Sequence, residues 1–143
     1  MRHSYTCIWI HIIWATKNRE RILHASRGEE LFHFFIDEGN EIKIPFEKLN
    51  VQPEHIHALI NLPSSWSLKD YMKRIKGSSS HWLNSEIFQS KFSWQRGYGA
   101  YSVSASQLEK VKSYIAGQTE HHKRTSFNEE YEEWKREYGI LDD

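Results

Sequence analysis

The sequence predicts an α+β fold: an antiparallel sheet carrying packed helices, in a ferredoxin-like or RNA-recognition-motif-like arrangement. Three observations lead there. Segments with strand and helix periodicity follow the order strand, helix, strand, strand, helix, strand, helix, which suits a sheet with helices on at least one face. Residues 55–61 alternate cleanly, with His57, Leu59 and Asn61 on one side and Ile56, Ala58 and Ile60 on the other. The chain has 143 residues, the size of one compact domain, expected to span 1–143.

The elements are justified in order. Residues 5–14 are rich in β-branched and aromatic side chains and read as a central strand buried on much of both faces. Ala15-Thr16-Lys17-Asn18-Arg19 is its polar exit. Ser26 and Glu29 have capping-box spacing, and Leu31, Phe34 and Phe35 follow at helical intervals, with Gly39 as the expected stop. Residues 42–51 hold five apolar residues but also Pro45, which points to an irregular or edge strand. Pro53 and Pro63 bracket the strand 55–61.

Ser67 caps the next helix, with Asp70 in its first turn and Leu68, Met72 and Ile75 as the buried stripe. Gly77-Ser78-Ser79-Ser80 reads as a helix break or a phosphate-contacting turn. Residues 92–104 read as the last strand, with Gly97 and Gly99 marking a bulge or a close backbone approach. A helix from about 105 to 121 follows, opened by capping boxes at Ser104/Gln107 and Ser106/Glu109, and buries Leu108, Val111 and Ile115. A final helix, Asn128 to Tyr138, carries Tyr131, Trp134 and Tyr138 on one stripe and stops at Gly139.

Composition narrows the function classes. Formal net charge is zero, so no global field advertises a nucleic-acid partner, and any DNA contact must use a local basic patch. The single cysteine, Cys7, excludes an internal disulfide and a cysteine-rich zinc site; within its apolar run it reads as a buried, inert thiol. No stretch approaches the length of a membrane span and no leader cleavage site is seen, so a soluble cytoplasmic protein without a membrane partner is expected. Twenty aromatic rings, six Trp, seven Tyr and seven Phe, exceed what one small core buries well, so some serve surfaces or interfaces.

The chemistry centres on His55-Ile56-His57. On a strand the two imidazoles share a face while Ile56 turns to the core, and together they make most of a metal site. Tyr114 and Gln118, spaced i, i+4 on a helix, also share a face. Read alone, each feature has a plainer account. Tyr114 would be a half-buried helix aromatic, Gln118 a solvated residue, and His11 a structural histidine or a partner to a ligand. The stripe Lys69, Lys73 and Lys76 is either a solvated face or a phosphate contact. His121-His122-Lys123-Arg124 is either an exposed helix terminus or a set of phosphate contacts. Trp94, Arg96 and Tyr98 could stack on unpaired bases, with a core role for Trp94 equally open.

Together the motifs Pro53-Glu54-His55-Ile56-His57, the lysine-rich helix followed by Gly77-Ser78-Ser79, and Tyr114-x-x-x-Gln118 with His121-His122 resemble the single-tyrosine HUH transposases of the IS200/IS605 type, including relatives associated with repetitive palindromes. The resemblance covers nearly the whole chain. The strand ending in Trp14 before Thr16-Lys17 fits it too. Glu54 departs from the aspartate common in the family, but keeps an acid that can orient a histidine.

The resemblance implies an HUH nuclease fold and a metal-dependent single-strand DNA transposase. His55, His57 and Gln118 would hold Mg²⁺ or Mn²⁺, and Tyr114 would attack the phosphorus to give a 5′-phosphotyrosine and a free 3′-hydroxyl. Two histidines and a neutral oxygen would leave the cation its full charge. Lys69, Lys73, Lys76, Arg96, Lys123 and Arg124 are the expected DNA contacts. The partners implied are single-stranded DNA with hairpins and a second copy of the chain, because one tyrosine handles one strand end. The setting implied is a bacterial or archaeal cytoplasm, with the protein at the nucleoid when on DNA. Placement of Tyr114 in cis or in trans stays open. The rival readings are a non-catalytic, domesticated binder of structured single strands and a phosphodiester hydrolase.

Overall fold

A computed structural model describes residues 3–88, 91–121 and 126–138. Its four-stranded sheet has the order β2-β3-β1-β4, built from β1 (Trp9–Ala15), β2 (Lys48–Val51), β3 (His55–Asn61) and β4 (Gly99–Val103). Every pairing is antiparallel. With helices α1 (Ser26–Glu41) between β1 and β2 and α2 (Leu68–Trp82) between β3 and β4, this is the expected ferredoxin-like topology.

Parity decides what each sheet face does. Ile10, Ile12 and Trp14 of β1 and Ile56, Ala58 and Ile60 of β3 pack against Leu31 and Phe35 of α1 and Tyr71, Met72 and Ile75 of α2. On the opposite face the β1–β3 register sets Ile13 beside His57 and Ala15 beside His55. Ile13 and Ala15 pack there with Tyr101 of β4 and with Tyr114 of α3 (Leu108–Ala116). The two central strands are thus buried on both faces, which explains why their sequences are nearly continuous apolar runs.

Several elements differ from expectation. β1 begins at Trp9, and Cys7 before it is exposed, because residues 3–8 lie outside the sheet. Helix α1 is not capped by Ser26 and passes through Gly39 to Glu41. Gly39 is buried there because a Cβ would stand 3.0 Å from the Ile44 carbonyl and from the Phe46 ring, so glycine allows the returning chain to press on the helix. Ser67 does cap α2, its Oγ accepting from the Asp70 amide at 3.0 Å.

That helix then runs through Gly77–Ser80 without a break to Trp82, and continues as a π-helical turn at Leu83–Phe88. The serine hydroxyls bond back to carbonyls three and four residues earlier, so they turn inward on the helix instead of opening it. The last strand is shorter than expected: Trp94 makes only an isolated bridge to Thr16, Gly97 turns the chain at φ 83°, and β4 starts at Gly99. The helix expected over 105–121 is three pieces: a 3₁₀ turn at Ala105–Gln107, α3, and α4 (Gln118–His121) beyond a break at Gly117. Helix α5 (Phe127–Tyr138) closes the described chain; Lys123, Arg124, Gly139 and the side chains of Tyr131, Trp134 and Tyr138 lie outside the described residues. No described helix is long and apolar enough to cross a membrane.

Candidate metal and nucleophile site

The face of the sheet opposite α1 and α2 carries a buried polar cluster. His11, His55, His57, Gln118 and Glu130 are all buried there among apolar neighbours, where polar groups must find one another. His55 and His57 project from the same side of β3, as their spacing requires. Glu54, one residue before the strand, holds His55: its Oε1 lies 2.7 Å from His55 Nδ1, while its Oε2 accepts from Arg21 Nη1 at 2.5 Å. His57 Nδ1 lies 3.0 Å from His11 Nε2. Each histidine therefore has its Nδ1 occupied from behind.

Both Nε2 atoms point inward. His55 Nε2 lies 3.5 Å from Gln118 Oε1, and His57 Nε2 lies 3.2 Å from Glu130 Oε1. Gln118 Nε2 donates to Glu130 Oε2 at 3.4 Å. The ligand atoms of His55, His57 and Glu130 all lie within 4.8 Å of one another. Metal–donor bonds of about 2.0–2.2 Å place two ligands of one ion no more than about 4.4 Å apart, so the three side chains could hold one cation if drawn closer together. The buried donor set, two imidazoles with an amide and a carboxylate oxygen, suits a divalent ion such as Mn²⁺ better than the all-oxygen surroundings Mg²⁺ prefers.

Tyr114 is at the same centre. Its ring stands 5.8 Å from that of His57 and 6.2 Å from that of His11. Its hydroxyl donates to Glu130 Oε2, the oxygen that also lies 2.7 Å from His121 Nε2. Burial first, and then the Glu130 carboxylate, push the phenol above its ordinary value: both disfavour a second negative charge. The residue is held as a protonated donor, on the same chain as the histidines it faces.

Sequence reasoning brought His55, His57, Tyr114, Gln118 and Glu54 forward, and the structure gathers all five. It missed Glu130, which reads in sequence as one of two acids in the first turn of α5, where the helix dipole favours them. Only tertiary packing singles it out. Arg21 also went unremarked. The expected DNA-contacting residues lie elsewhere: Lys69, Lys73 and Arg96 are exposed, whereas Lys76 Nζ donates to the Gln95 and Gly97 carbonyls, both at 2.9 Å, and partial burial lowers its pKa. Trp94 is a core residue whose Nε1 donates to Ser79 Oγ at 2.9 Å, and Tyr98 is exposed.

Residues 4–118 match the family described as "Transposase IS200 like". The chain is 24% identical over 114 residues to the ISDra2 transposase TnpA of Deinococcus radiodurans, covering 76% of this chain and 81% of that protein. It is 27% identical over 126 residues to the transposase for insertion sequence element IS200 of Salmonella typhimurium, covering 79% and 78% respectively. Two solved structures share the fold. A candidate transposase from Deinococcus radiodurans R1 superposes with a TM-score of 0.68 at 23% identity, covering 82% of this chain and 95% of that one. A REP-associated tyrosine transposase bound to a REP hairpin superposes with a TM-score of 0.62 at 18% identity, covering 85% and 73%.

Proposed function

Because the chain belongs to the IS200-like transposase family, and is a DNA transposase by that membership, we propose that it cuts and rejoins single-stranded DNA at hairpin-containing element ends through Tyr114. One observation carries this reading: the Tyr114 hydroxyl and the His57 Nε2 converge on the same carboxylate, Glu130. Nucleophile and metal donors thus share one centre. Residues 1–143 would act as one HUH domain.

The roles follow from the geometry. The Tyr114 Oη attacks the phosphorus, forming a Tyr–O–P bond as the P–O3′ bond breaks. The products are a 5′-phosphotyrosine and a strand ending in a 3′-hydroxyl. Glu130 Oε2 already accepts the phenolic proton in a hydrogen bond and is placed to take it during attack. His121 Nε2 lies 2.7 Å from the same oxygen. His55 and His57, with Gln118 and Glu130, would hold a divalent cation, Mg²⁺ or Mn²⁺, whose chemistry would be charge neutralisation at the phosphate. Glu130 alters the charge expected of that site: its anionic oxygen would reduce the net charge of the ligand set and cation together by one. Rejoining reverses the step, with the 3′-hydroxyl of another strand attacking the phosphotyrosine and no external energy source.

Hairpin substrates are proposed on two grounds: the family, and the hairpin bound by the related REP-associated protein. Lys69, Lys73 and Arg96 are exposed and available for phosphate contacts, with Lys123 and Arg124 proposed from sequence alone. Lys76 would act there through the carbonyls it holds. A homodimer is proposed because each chain carries one nucleophile for one strand end.

A second reading, a non-catalytic binder of structured single strands, is favoured by the complete burial of His55, His57 and Gln118, which shields the candidate chemistry from a substrate. Covalent capture separates the two. The protein is mixed with a pool of single-stranded DNA hairpins with varied flanks, with Mg²⁺ or Mn²⁺, and run on a denaturing gel. A metal-dependent adduct that disappears in Tyr114→Phe supports the transposase mechanism. Hairpin binding without an adduct overturns it in favour of the binder.

A further inference from the structure

His11 lies on the site face of β1 but is not one of the converging ligands. The β1–β3 register pairs His11 with Leu59 and Ile13 with His57, so His11 is the diagonal neighbour of His57 across the two central strands. Its Nε2 lies 3.0 Å from His57 Nδ1, and the rings are 5.2 Å apart at an interplanar angle of 28°. Tyr101 and Tyr114 meet the His11 ring edge-on at 6.0 and 6.2 Å. The imidazole is thus fixed by sheet register on one side and by aromatic packing on others.

We infer that His11 is the positioning residue for His57, accepting its Nδ1–H so that the His57 Nε2 lone pair is directed at the metal position. The inference rests on the proposed metal role of His57. An imidazole that ligates through Nε2 must carry its remaining proton on Nδ1, and that proton needs an acceptor when buried. For His55 the acceptor is the Glu54 carboxylate. For His57 it is another imidazole.

The two ligands consequently receive different support. Behind His55 stands a carboxylate that is itself held by Arg21. Behind His57 stands an imidazole, which fixes the direction of the ring. In an antiparallel sheet this arrangement needs a histidine on the neighbouring strand two positions out of register with the ligand, which is where His11 stands.

The test uses the full chain and Mn²⁺ alone, with affinity read by titration calorimetry and the metal-free fold by thermal unfolding. His57→Ala serves as the reference. His11→Phe keeps a ring of similar size but has no acceptor, and His11→Gln restores one, since its amide oxygen reaches about as far as Nε2. The expected result is Mn²⁺ binding weakened about 10- to 100-fold in His11→Phe and largely restored in His11→Gln, with the metal-free melting temperature of both near that of the parent. If His11→Phe does not fold without metal, His11→Leu takes its place in the comparison with His11→Gln. Wild-type affinity in His11→Phe alongside lost affinity in His57→Ala overturns the positioning role and leaves the metal reading intact. Equal losses in His11→Phe and His11→Gln reduce His11 to a matter of shape and also overturn it. Unchanged affinity in His57→Ala overturns both.

Discussion

Ser79 to Ala is a small change with a calculable cost. Ser79 is fully buried in α2, and its Oγ accepts the Trp94 indole N–H at 2.9 Å while donating to the Ile75 carbonyl at 2.7 Å. Removing the hydroxyl leaves the indole N–H buried without that acceptor, at a cost of about 1–3 kcal/mol. The Ile75 carbonyl loses little, because it keeps its helical environment. Alanine also favours the helix by about 0.5 kcal/mol relative to serine. The net expectation is a loss of about 1–2 kcal/mol, read as a lower urea midpoint at unchanged m-value. The double-mutant cycle isolates the cause. In a Trp94→Phe background there is no indole N–H to orphan, so Ser79→Ala should then cost nothing or stabilise slightly. The coupling energy should therefore be about 1–2 kcal/mol. An equal cost of Ser79→Ala in both backgrounds would refute the reasoning. The pair matters to function because Trp94 bridges Thr16, and its neighbours Ser93 and Gln95 bond Lys17 and Ala15, at the end of β1 nearest Glu54.

Three further outcomes are expected. Glu54→Gln removes the charge behind His55 and should weaken Mn²⁺ binding by about 10- to 100-fold, measured by calorimetry, with a smaller effect on metal-free stability. Tyr114, whose phenol is raised by burial and then by Glu130, contributes stability that is fully present below the unfolded value of about 10 and is lost as pH climbs through the folded value. Urea midpoints measured from about pH 9 to about pH 11 should fall less steeply in Tyr114→Phe than in the parent, with the buried Tyr71, also raised, supplying the remaining slope. Gly28→Ala places a Cβ 2.8 Å from the Leu23 carbonyl, and should destabilise by about 1–3 kcal/mol by overpacking, despite alanine's better helix propensity; a rise in melting temperature would contradict this.

How much the sequence disclosed depended on whether a feature was local. The β3 strand was legible to the residue, because alternation and two flanking prolines define it without reference to the rest of the chain. Ser67 was legible as a cap for the same reason. Gly39 and Gly77–Ser80 were misread because glycine and serine carry two meanings. Gly39 answers a close approach by residues 44–46, and the serines return their hydroxyls to their own helix. His55, His57, Tyr114 and Gln118 were brought forward by pattern, and the structure places them together. The support behind them was not: Glu130 is one acid among neighbours until α5 docks, and His11 is a lone strand histidine until the register sets it diagonal to His57. Lys76 looked like the third member of an exposed stripe until the loop at 95–97 closed over its amine.

The site's parts are far apart in sequence, and this has a consequence for the newly made chain. His57 meets His11 across 46 positions and Glu130 across 73. Such contacts form late, because long loops must close before they give any return. At ribosomal speeds of about 5–20 residues per second, Tyr114, the proposed nucleophile, follows His57 by roughly 3–12 seconds, and Glu130 follows later still. During that interval the histidine pair exists without the tyrosine proposed to act beside it. The order of synthesis therefore builds in a delay: the histidines are made well before the group proposed to break DNA.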